Sequence, residues 1–498
     1  MATVAVVAGV LVSSGVAASE LDGLDTYVGR AVADWQVPGL AIAVVKDGEI
    51  VFERGYGVLE LGADARVDEN TLFSIGSTTK AMTAAALGML VDEDKLAWSD
   101  RVVDHMPGFR LYDPYVTREV RVKDLLTHNA GLPNADFLWY EQDTELSEIL
   151  ERLRYLEPDS SMRSSYTYQN IMYAAAGRLI EIVSGQSWFD FIESRLFEPL
   201  GMVRSVPSLG RLAQRQNVAQ PHDLVEGELV VIENASVDNV AAAGSVWSSV
   251  HEMAEWARFL LAGCETRQGQ RLLEEQTCEE LFRPQVIVDK EMYPALRLVE
   301  PSWLTYGLGW FQIDYRGSKV DFHSGSIDGM VALHGLIREQ GLGVYVLANR
   351  DHAEVRHALM YRVFDLFSRG HAAPRDWNTD LKRLYDGLTE QAEKRRAEAL
   401  SKRVSGTRPS LGVAAYVGRY EDPLYGELEV RQEAGELVLQ YGRRFGELEH
   451  WEYDTFRADW QKRWRGSAFV TFVLGSGGEV VGARLNGMEM QRSGAAIH

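Results

Sequence analysis

A helical repeat of apolar positions comes first along the chain after residue 19, and two apolar strand-like runs follow it. The repeat over residues 20–36 predicts an amphipathic helix. Apolar runs at residues 40–45 and 50–57 then flank a turn that contains Asp47-Gly48. Because aspartate and glycine tolerate the positive φ of a tight primed turn, these runs predict a β-hairpin.

Helical patterns dominate the middle of the chain, and strand patterns return after it. The apolar repeat predicts a helix from Ser77 to about residue 96, mostly helical structure over 120–200, and a helix over 249–262. Four strand-like runs and a helix at about 353–367 follow, the runs being residues 306–311, 320–323, 329–337 and 343–348. Strands at both ends with helices inserted predict one sheet assembled from both ends and a helical subdomain between them.

The last quarter of the chain has a different pattern. Residues 380–403 are charged and helix-prone, and the turn sequence 406–409 ends them, so we interpret 373–408 as a helical connector. Short strand-like runs separated by turn residues follow at 425–430, 436–441, 445–453, 468–474 and 480–485. Runs of this length and spacing predict a small antiparallel barrel or sandwich over 409–498.

The first nineteen residues are apolar and end in small residues at Ala17, Ala18 and Ser19. This composition favours a signal peptide over residues 1–19, and hence export to the periplasm or the medium, although the usual basic start is absent. The alternative is a frayed N-terminal segment. The stretch is too short and too rich in alanine, glycine and serine for a membrane span.

Composition narrows the classes of function. The 498 residues include 51 Lys and Arg against 72 Asp and Glu, a formal charge of −21. An acidic surface repels phosphate backbones and anionic lipid, so nucleic-acid binding is not expected. The two cysteines, Cys264 and Cys278, are too few for a disulfide framework or a thiolate metal site. They pair with each other in an exported protein or remain two buried thiols, and the sequence leaves both alternatives open.

The first candidate for chemistry is Ser77-Thr78-Thr79-Lys80 at the predicted start of a helix. A serine hydroxyl needs a base beside it to act as a nucleophile. Residues three apart share a helix face, so Lys80 lies one turn from Ser77, and a lysine in a dry pocket can act as a base. Taken alone, Ser77 is equally well interpreted as an ordinary helix N-cap.

Two further elements contain groups that complement a nucleophile. Tyr168 can exchange a proton when a cation is near, and the Asn170 amide can hydrogen-bond a substrate carbonyl or Lys80. Gly325, after His323, allows close approach of substrate backbone, and the Ser326 N–H can join that of Ser77 around an oxyanion. Taken alone, the Tyr168 element is explained equally well by aromatic packing between helices. His323 is explained equally well by a structural role.

Together the three elements resemble the serine β-lactamase and penicillin-binding family, in its class C and esterase-like branch. That branch has Ser-x-x-Lys, then Tyr-x-Asn, then Lys-Thr-Gly or His-x-Gly, here at Ser77/Lys80, Tyr168/Asn170 and His323/Gly325. Phrases at 124–128, 199–202 and 306–310 are also similar to the family, and the resemblance covers about residues 20–370. The stretch 416–428 resembles the opening of a β-barrel domain that some of these hydrolases carry.

The resemblance implies an α/β (α+β) fold in which an antiparallel sheet is flanked by helices, with an all-helical subdomain. It implies a catalytic domain over 20–372 that hydrolyses amide or ester bonds of small substrates, such as short peptides, D-amino-acid derivatives or esters, through an acyl-enzyme. Catalytic roles then fall to Ser77, Lys80, Tyr168 and Asn170, and substrate binding to His323, Gly325 and Ser326. The alternative is a β-lactamase, or a penicillin-binding or sensing protein that acylates with little turnover.

No cofactor or metal is expected. His251-Glu252 begins like a zinc-peptidase motif, but Glu255 occupies the position of the second histidine. A small-molecule or short-peptide substrate is the expected partner, and the oligomeric state stays open.

His323 stands where other members have a lysine that meets a substrate carboxylate, which makes efficient β-lactam hydrolysis doubtful. Residues two apart on a strand share a face, so Asp321 is a candidate to raise the pKa of His323 and make it a conditional cation. The alternative is that Asp321 points to solvent and His323 only lines the pocket.

Overall fold

The computed structural model describes residues 21–367 and 375–494. The expected signal peptide, residues 1–19, lies outside the described residues, as do residues 373–374 at the start of the expected connector. The chain groups into two compact units. The first contains the chain up to Trp98, Ile180–Asp223 and Val230–Tyr385, and the second contains Ser99–Leu179, Leu224–Leu229 and the chain from Asp386 onward.

An antiparallel sheet forms the centre of the first unit. The strands that precede residue 350 in the described part of the chain are β1 Gly39–Lys46, β2 Glu49–Gly57, β3 Phe73–Ser74, β4 His222–Val225, β5 Glu228–Val231, β6 Trp247–Ser248, β7 Val286–Ile287, β8 Leu304–Tyr306, β9 Phe311–Tyr315, β10 Ser318–Ile327, β11 Met330–Ile337 and β12 Leu342–Ala348. The eight-stranded sheet has the order β2-β1-β12-β11-β10-β9-β8-β7, so the chain's first hairpin pairs with its later strands. The sheet predicted to assemble from both ends is confirmed.

Helices cover both faces of this sheet. The α-helices within the described residues are Leu24–Asp34, Thr79–Asp92, Val102–His105, Pro114–Glu119, Leu146–Arg152, Asn170–Ser184, Trp188–Ile192, Glu198–Leu200, Leu209–Leu212, Val250–Leu261, Glu275–Leu281, Leu296–Val299, Val355–Phe367 and Trp377–Ser401. None of them is both long and apolar enough to cross a membrane.

Two glycines show which helix covers which face. A Cβ on Gly335 would lie 2.6 Å from Met360 Sδ, and one on Gly343 would lie 3.4 Å from the Ala257 Cβ. Gly343 pairs with Leu336, the neighbour of Gly335, so the two glycines point to opposite faces. The helices Val355–Phe367 and Val250–Leu261 therefore sandwich the sheet, as the resemblance implied.

Local predictions agree with the structure where the pattern is strong. The hairpin turn has φ of +50° at Asp47 and +82° at Gly48, as a primed turn requires. The single strand predicted over 306–311 is wrong, because β8 ends at Tyr306 and β9 begins at Phe311. Between them Gly309 has φ +88°, and a Cβ there would lie 2.8 Å from the Cα of Ala81. The strand is interrupted so that this backbone can pack against the helix Thr79–Asp92.

The second unit contains the helical subdomain and the barrel. Residues 99–179 contain helices joined by long irregular connections, so the helical subdomain is confirmed. A closed antiparallel barrel follows, with strands β13 Gly418–Asp422, β14 Gly426–Glu433, β15 Glu436–Tyr441, β16 Arg444–Glu452, β17 Thr455–Trp460, β18 Ser467–Leu474, β19 Val480–Leu485 and β20 Met488–Arg492. The sequence missed β13, β17 and β20, because only alternate residues of a short barrel strand are apolar.

A disulfide joins Cys264 to Cys278, which decides between the two alternatives that the sequence left open. Cys264 follows the helix Val250–Leu261, and Cys278 lies within the helix Glu275–Leu281. Both side chains are buried, and 14 positions separate them along the chain. The bond therefore ties together two helices of the first unit.

We expect Cys264→Ala/Cys278→Ala to lower the free energy of unfolding by roughly 2–4 kcal/mol, because the open loop gains entropy in the unfolded chain. Urea denaturation followed by circular dichroism measures the difference. Each single variant should lose nearly as much as the double variant, since either one breaks the same bond. Wild-type stability in the double variant would contradict the expectation.

Candidate active site

Ser77 lies in a tight turn that connects β3 to a helix. The turn is the 3₁₀ segment Gly76–Thr78, and the helix Thr79–Asp92 begins directly after it. Gly76 has φ +51°, a left-handed conformation that glycine adopts without steric cost. The Ser77 side chain stays partly exposed while its neighbours in the turn are buried.

Lys80 lies one turn along the same helix and is fully buried. Its Nζ is 3.1 Å from Ser77 Oγ and donates to the carbonyl oxygen of Ala243 at 2.8 Å. One turn further, Thr83 Oγ1 donates to the carbonyl of Ala242 at 2.7 Å. The 3₁₀ segment Asp238–Ala243 thus presents carbonyls to this helix face. Ala243 was not predicted from the sequence, because its backbone carbonyl is the acceptor and the residue type does not indicate that role.

The third motif lies on β10, directly against the turn that contains Ser77. A Cβ on Gly325 would lie 2.1 Å from the carbonyl oxygen of Ile75 and 3.0 Å from the Ser77 nitrogen. A Cβ on Gly76 would lie 2.8 Å from the Ser326 nitrogen. Two backbones can approach this closely only where both residues are glycine. The structure therefore brings Gly325 and Ser326 together with Ser77.

His323 is almost fully buried on the same strand, with 2% of its surface exposed. Its Nδ1 is 2.6 Å from the Ser324 carbonyl oxygen, and its Nε2 is 3.0 Å from Tyr306 Oη. Burial, and after it the charge of Lys80, lowers the pKa of His323 to about 3. The ring is therefore neutral near pH 7: Nδ1–H donates to the carbonyl, and Nε2 accepts from the tyrosine hydroxyl.

The idea that Asp321 makes His323 a conditional cation is wrong. The carboxylate of Asp321 forms an ion pair with Lys319 Nζ at 2.9 Å, and burial raises the pKa of Asp321 itself. Desolvation of the imidazole therefore dominates, and the pKa of His323 moves down instead of up. Asp321 is also buried, so the alternative in which it points to solvent does not hold either.

A row of polar groups crosses the buried sheet face beside His323. His323 pairs in register with His334, and His334 pairs with Tyr345 on the next strand. The Tyr345 hydroxyl hydrogen-bonds the Oγ1 of Thr78, the residue after Ser77. Burial lowers the pKa of His334 to about 3, so the second histidine is neutral as well. His334 and Tyr345 were not predicted, because they lie on other strands and no motif links them to His323.

Behind β10, Arg356 holds the strand in place. Its Nη1 donates to the Gly325 carbonyl at 2.5 Å and to Ser326 Oγ at 2.9 Å. Its Nη2 donates to Glu354 at 2.9 Å, and the guanidinium charge keeps the pKa of that buried carboxyl far below its usual range. The pair therefore fixes the conformation of β10 without leaving an unbalanced charge.

Tyr168 and Asn170 lie in the second unit, where His128 organises their backbone. The Gln169 N–H donates to His128 Nδ1 at 2.9 Å, and the Thr167 N–H donates to the His128 carbonyl at 2.8 Å. The Tyr168 ring lies over the His128 ring, with 4.4 Å between centroids. His128 ends the phrase 124–128, so that sequence signal marked a residue that positions the tyrosine motif.

Asn170 begins the helix Asn170–Ser184, and its amide is held by Asp136. Asn170 Nδ2 donates to Asp136 Oδ1 at 3.0 Å. The same oxygen accepts from Trp139 Nε1 at 2.8 Å. Asp136 was not predicted from the sequence, because it lies 34 positions before Asn170 in an irregular segment.

The histidine motif at 251 is structural. Glu252 accepts from the Arg204 and Ser205 amides, each at 2.7 Å, and His251 Nδ1 is 2.9 Å from Glu53. Across the described ranges 21–367 and 375–494, no group of three or more histidine, cysteine or acidic residues is placed to hold a metal ion.

Two family models match this chain. The model described as "Beta-lactamase" matches residues 24–366, and "Domain of unknown function (DUF3471)" matches residues 402–497. Unguisins hydrolase ungD of Aspergillus violaceofuscus is 28% identical over 460 residues, which cover 85% of this chain and 79% of that protein. Penicillin-binding protein 4 of Amycolatopsis lactamdurans is 29% identical over 63% of this chain and 81% of its own.

A solved structure has the same fold along nearly the whole chain. The octameric penicillin-binding protein homologue from Pyrococcus abyssi superimposes with a TM-score of 0.62 at 22% sequence identity, covering 95% of this chain and 99% of that one. The family match spans well over half of the chain and contains all three motifs. This chain belongs to the β-lactamase family of serine hydrolases.

Proposed function

We propose that this protein hydrolyses amide or ester bonds of small substrates, such as short peptides, D-amino-acid derivatives or esters, through an acyl-enzyme on Ser77. The observation that carries the proposal is the buried Lys80 amine, 3.1 Å from Ser77 Oγ and anchored on the Ala243 carbonyl. A helix N-cap serine needs no such partner. A nucleophile needs one, because its hydroxyl must lose a proton during attack.

Acylation then follows from the donors and acceptors present. Lys80 Nζ lies 3.1 Å from Ser77 Oγ and donates to the Ala243 carbonyl, so in its neutral form the amine can accept the Ser77 proton across this contact. Ser77 Oγ attacks the substrate carbonyl while its proton passes to Lys80. The proton then reaches the leaving amine or alkoxide, with Tyr168 in the relay, and water later cleaves the acyl-enzyme by the reverse route.

The negative charge that develops on the carbonyl oxygen needs N–H donors. The close approach of β10 to the nucleophile turn supports the Ser77 and Ser326 amides for this role. Arg356 contributes by holding the Gly325 carbonyl and the Ser326 hydroxyl from behind. Asn170 is proposed to hydrogen-bond the substrate carbonyl or Lys80, with its orientation set by Asp136.

The charges around β10 favour neutral substrates. His323 is uncharged at neutral pH, and the charge of Arg356 is matched by Glu354. Neither side chain offers the fixed cation that a substrate carboxylate requires, so we infer neutral esters and amides rather than β-lactams. A relative named as a hydrolase supports turnover.

A second candidate is a penicillin-binding protein that acylates and deacylates slowly. The similarity to penicillin-binding protein 4 favours it. Turnover of p-nitrophenyl esters, D-amino-acid amides and a chromogenic cephalosporin, measured side by side, distinguishes the two. Sustained ester or amide turnover supports the hydrolase, whereas one burst per enzyme molecule supports the binding protein.

Export is part of the proposal. Disulfides form and persist in oxidising compartments, so the Cys264–Cys278 bond supports a periplasmic or secreted protein. The apolar residues 1–19 are consistent with a signal peptide and so with the same location.

We expect Ser77→Ala to lower kcat roughly 10⁴-fold or more, because removal of a nucleophile disables the whole catalytic group. Intact mass spectrometry should show a fluorophosphonate bound to the wild type at Ser77 and none on the variant. The matched control is Ser74→Ala, which changes a buried serine of the preceding strand. Full activity in Ser77→Ala, or labelling at another serine, refutes the assignment.

We expect Lys80→Ala and Tyr168→Phe to cost activity non-additively, because groups in one proton relay fail together. The double variant should have nearly the kcat/KM of the poorer single variant. Initial rates on one p-nitrophenyl ester for the four proteins give the cycle. Losses that multiply would show two independent roles.

We expect the KM of a carboxylate-bearing peptide and the KM of a neutral ester to follow parallel profiles between about pH 5 and pH 8. The reason is that a His323 pKa of about 3 leaves its charge unchanged over this range. Steady-state kinetics at fixed ionic strength provides both profiles. A peptide KM that climbs through pH 6–7 while the ester KM stays flat would mean that His323 is a cation at the site.

A further inference from the structure

We propose that two loops of the C-terminal barrel clamp residues 136–143 and thereby position Asn170 for catalysis. Glu141 and Arg465 are the positioning residues at the centre of this clamp. The proposal rests on the proposed function of Ser77, Tyr168 and Asn170, and it makes the barrel a working part of the hydrolase. All of the contacts involved lie within the second unit.

The clamped segment, residues 136–143, is linked to Asn170 through one carboxylate oxygen. Asp136 Oδ1 accepts from Asn170 Nδ2 at 3.0 Å and from Trp139 Nε1 at 2.8 Å. The Tyr140 N–H also donates to the Asp136 carbonyl at 2.8 Å. A displacement of Trp139 or Tyr140 therefore moves the oxygen that orients the Asn170 amide.

The barrel holds the segment by a buried ion pair. Glu141 Oε1 is 2.6 Å from Arg465 Nη2, and only 5% and 10% of the two side chains are exposed. Arg465 follows β17, in the connection to β18. A buried charge is unfavourable without its partner, so the two groups stay together. The basic side chain of Arg465 is thus buried at the end of the aromatic and basic run 460–465.

The barrel also holds the backbone of the segment. The Arg443 N–H donates to the Glu141 carbonyl at 2.8 Å. Gly442 precedes it in the turn between β15 and β16, and a Cβ there would lie 2.4 Å from the same carbonyl oxygen. The turn can reach this carbonyl only with glycine at 442. Glu141 is therefore held at both its side chain and its main chain by two barrel loops.

Ring contacts extend the interface on the N-terminal side of Glu141. The Arg465 guanidinium lies 4.7 Å from the Tyr140 ring centre, and Arg444 lies 5.4 Å from it. Phe137 contacts Tyr425 of the barrel at 5.0 Å between ring centres. Tyr140 thus contacts two guanidinium groups of the barrel, and Phe137 contacts an aromatic ring of it.

The segment cannot hold this shape by itself. Its regular structure is the single 3₁₀ turn Asp136–Leu138, and Glu141 has φ +58°, a conformation that non-glycine residues seldom adopt. Such a conformation persists when the surroundings over-determine it. The barrel supplies those surroundings, and Asp136 transmits the result to Asn170.

The test is Glu141→Gln in the full-length protein, which removes the charge and keeps the shape. We expect kcat on a p-nitrophenyl ester to fall about 10- to 100-fold, because a misplaced catalytic group is costly. The rate of fluorophosphonate labelling at Ser77 should fall in parallel, whereas a loss of stability alone would leave the rate per folded molecule unchanged. Asp136→Ala should cause a similar loss, and the double variant should be no worse than Asp136→Ala alone.

The matched control is Glu226→Gln. Glu226 forms an exposed ion pair with Arg463, two residues from Arg465, and should leave kcat and labelling unchanged. Should Glu141→Gln fail to fold, Tyr425→Ala removes the ring contact to Phe137 and should give a smaller loss of the same kind.

Wild-type kcat and labelling in whichever variant folds, or losses of Glu141→Gln and Asp136→Ala that multiply, would overturn the clamp. Activity in Ser77→Ala would instead overturn the proposed function. An inactive Ser77→Ala beside a fully active Glu141→Gln would refute the clamp alone.

Discussion

The buried Lys80 amine is the constraint on which the first unit is built. A buried amine is unfavourable unless its N–H groups are hydrogen-bonded. Lys80 Nζ donates to Ser77 Oγ and to the Ala243 carbonyl. The 3₁₀ segment that ends at Ala243 is fixed a second time through Thr83. The backbone of Gly309 closes over the same helix turn. The helix, the 3₁₀ segment and the Gly309 loop therefore all pack around the helix turn that contains Lys80.

The second constraint is the approach of two backbones without side chains between them. Gly76 and Gly325 let the turn that contains Ser77 and β10 meet at distances that any Cβ would prevent. Arg356 then holds β10 from behind, so the strand cannot retreat from the turn. Stability and the proposed chemistry depend here on the same contacts, because the amides that face Ser77 belong to the packed backbone.

Burial also decides the charge at the site. His323 and His334 lie in register on one sheet face, where desolvation keeps both rings neutral near pH 7. Neither ring therefore adds a positive charge to the site, and this is the reason that we propose uncharged substrates. In the second unit the Glu141–Arg465 pair shows the opposite solution, in which two buried charges balance each other.

The sequence by itself determined the family, the order of the motifs, the first hairpin, most strands of the sheet and the existence of the barrel. These follow from residue types at short spacings: Lys80 three residues after Ser77, Asp47-Gly48 between apolar runs, and apolar positions at helical or strand periods. Only the tertiary structure decided that Cys264 pairs with Cys278, that Ala243 accepts from Lys80, that His323 is neutral, and that Asp136 and His128 hold the tyrosine motif. The physical reason is common to all of them. Backbone acceptors, desolvation and contacts between distant segments depend on which atoms the fold brings together, and residue identity along the chain does not encode them locally.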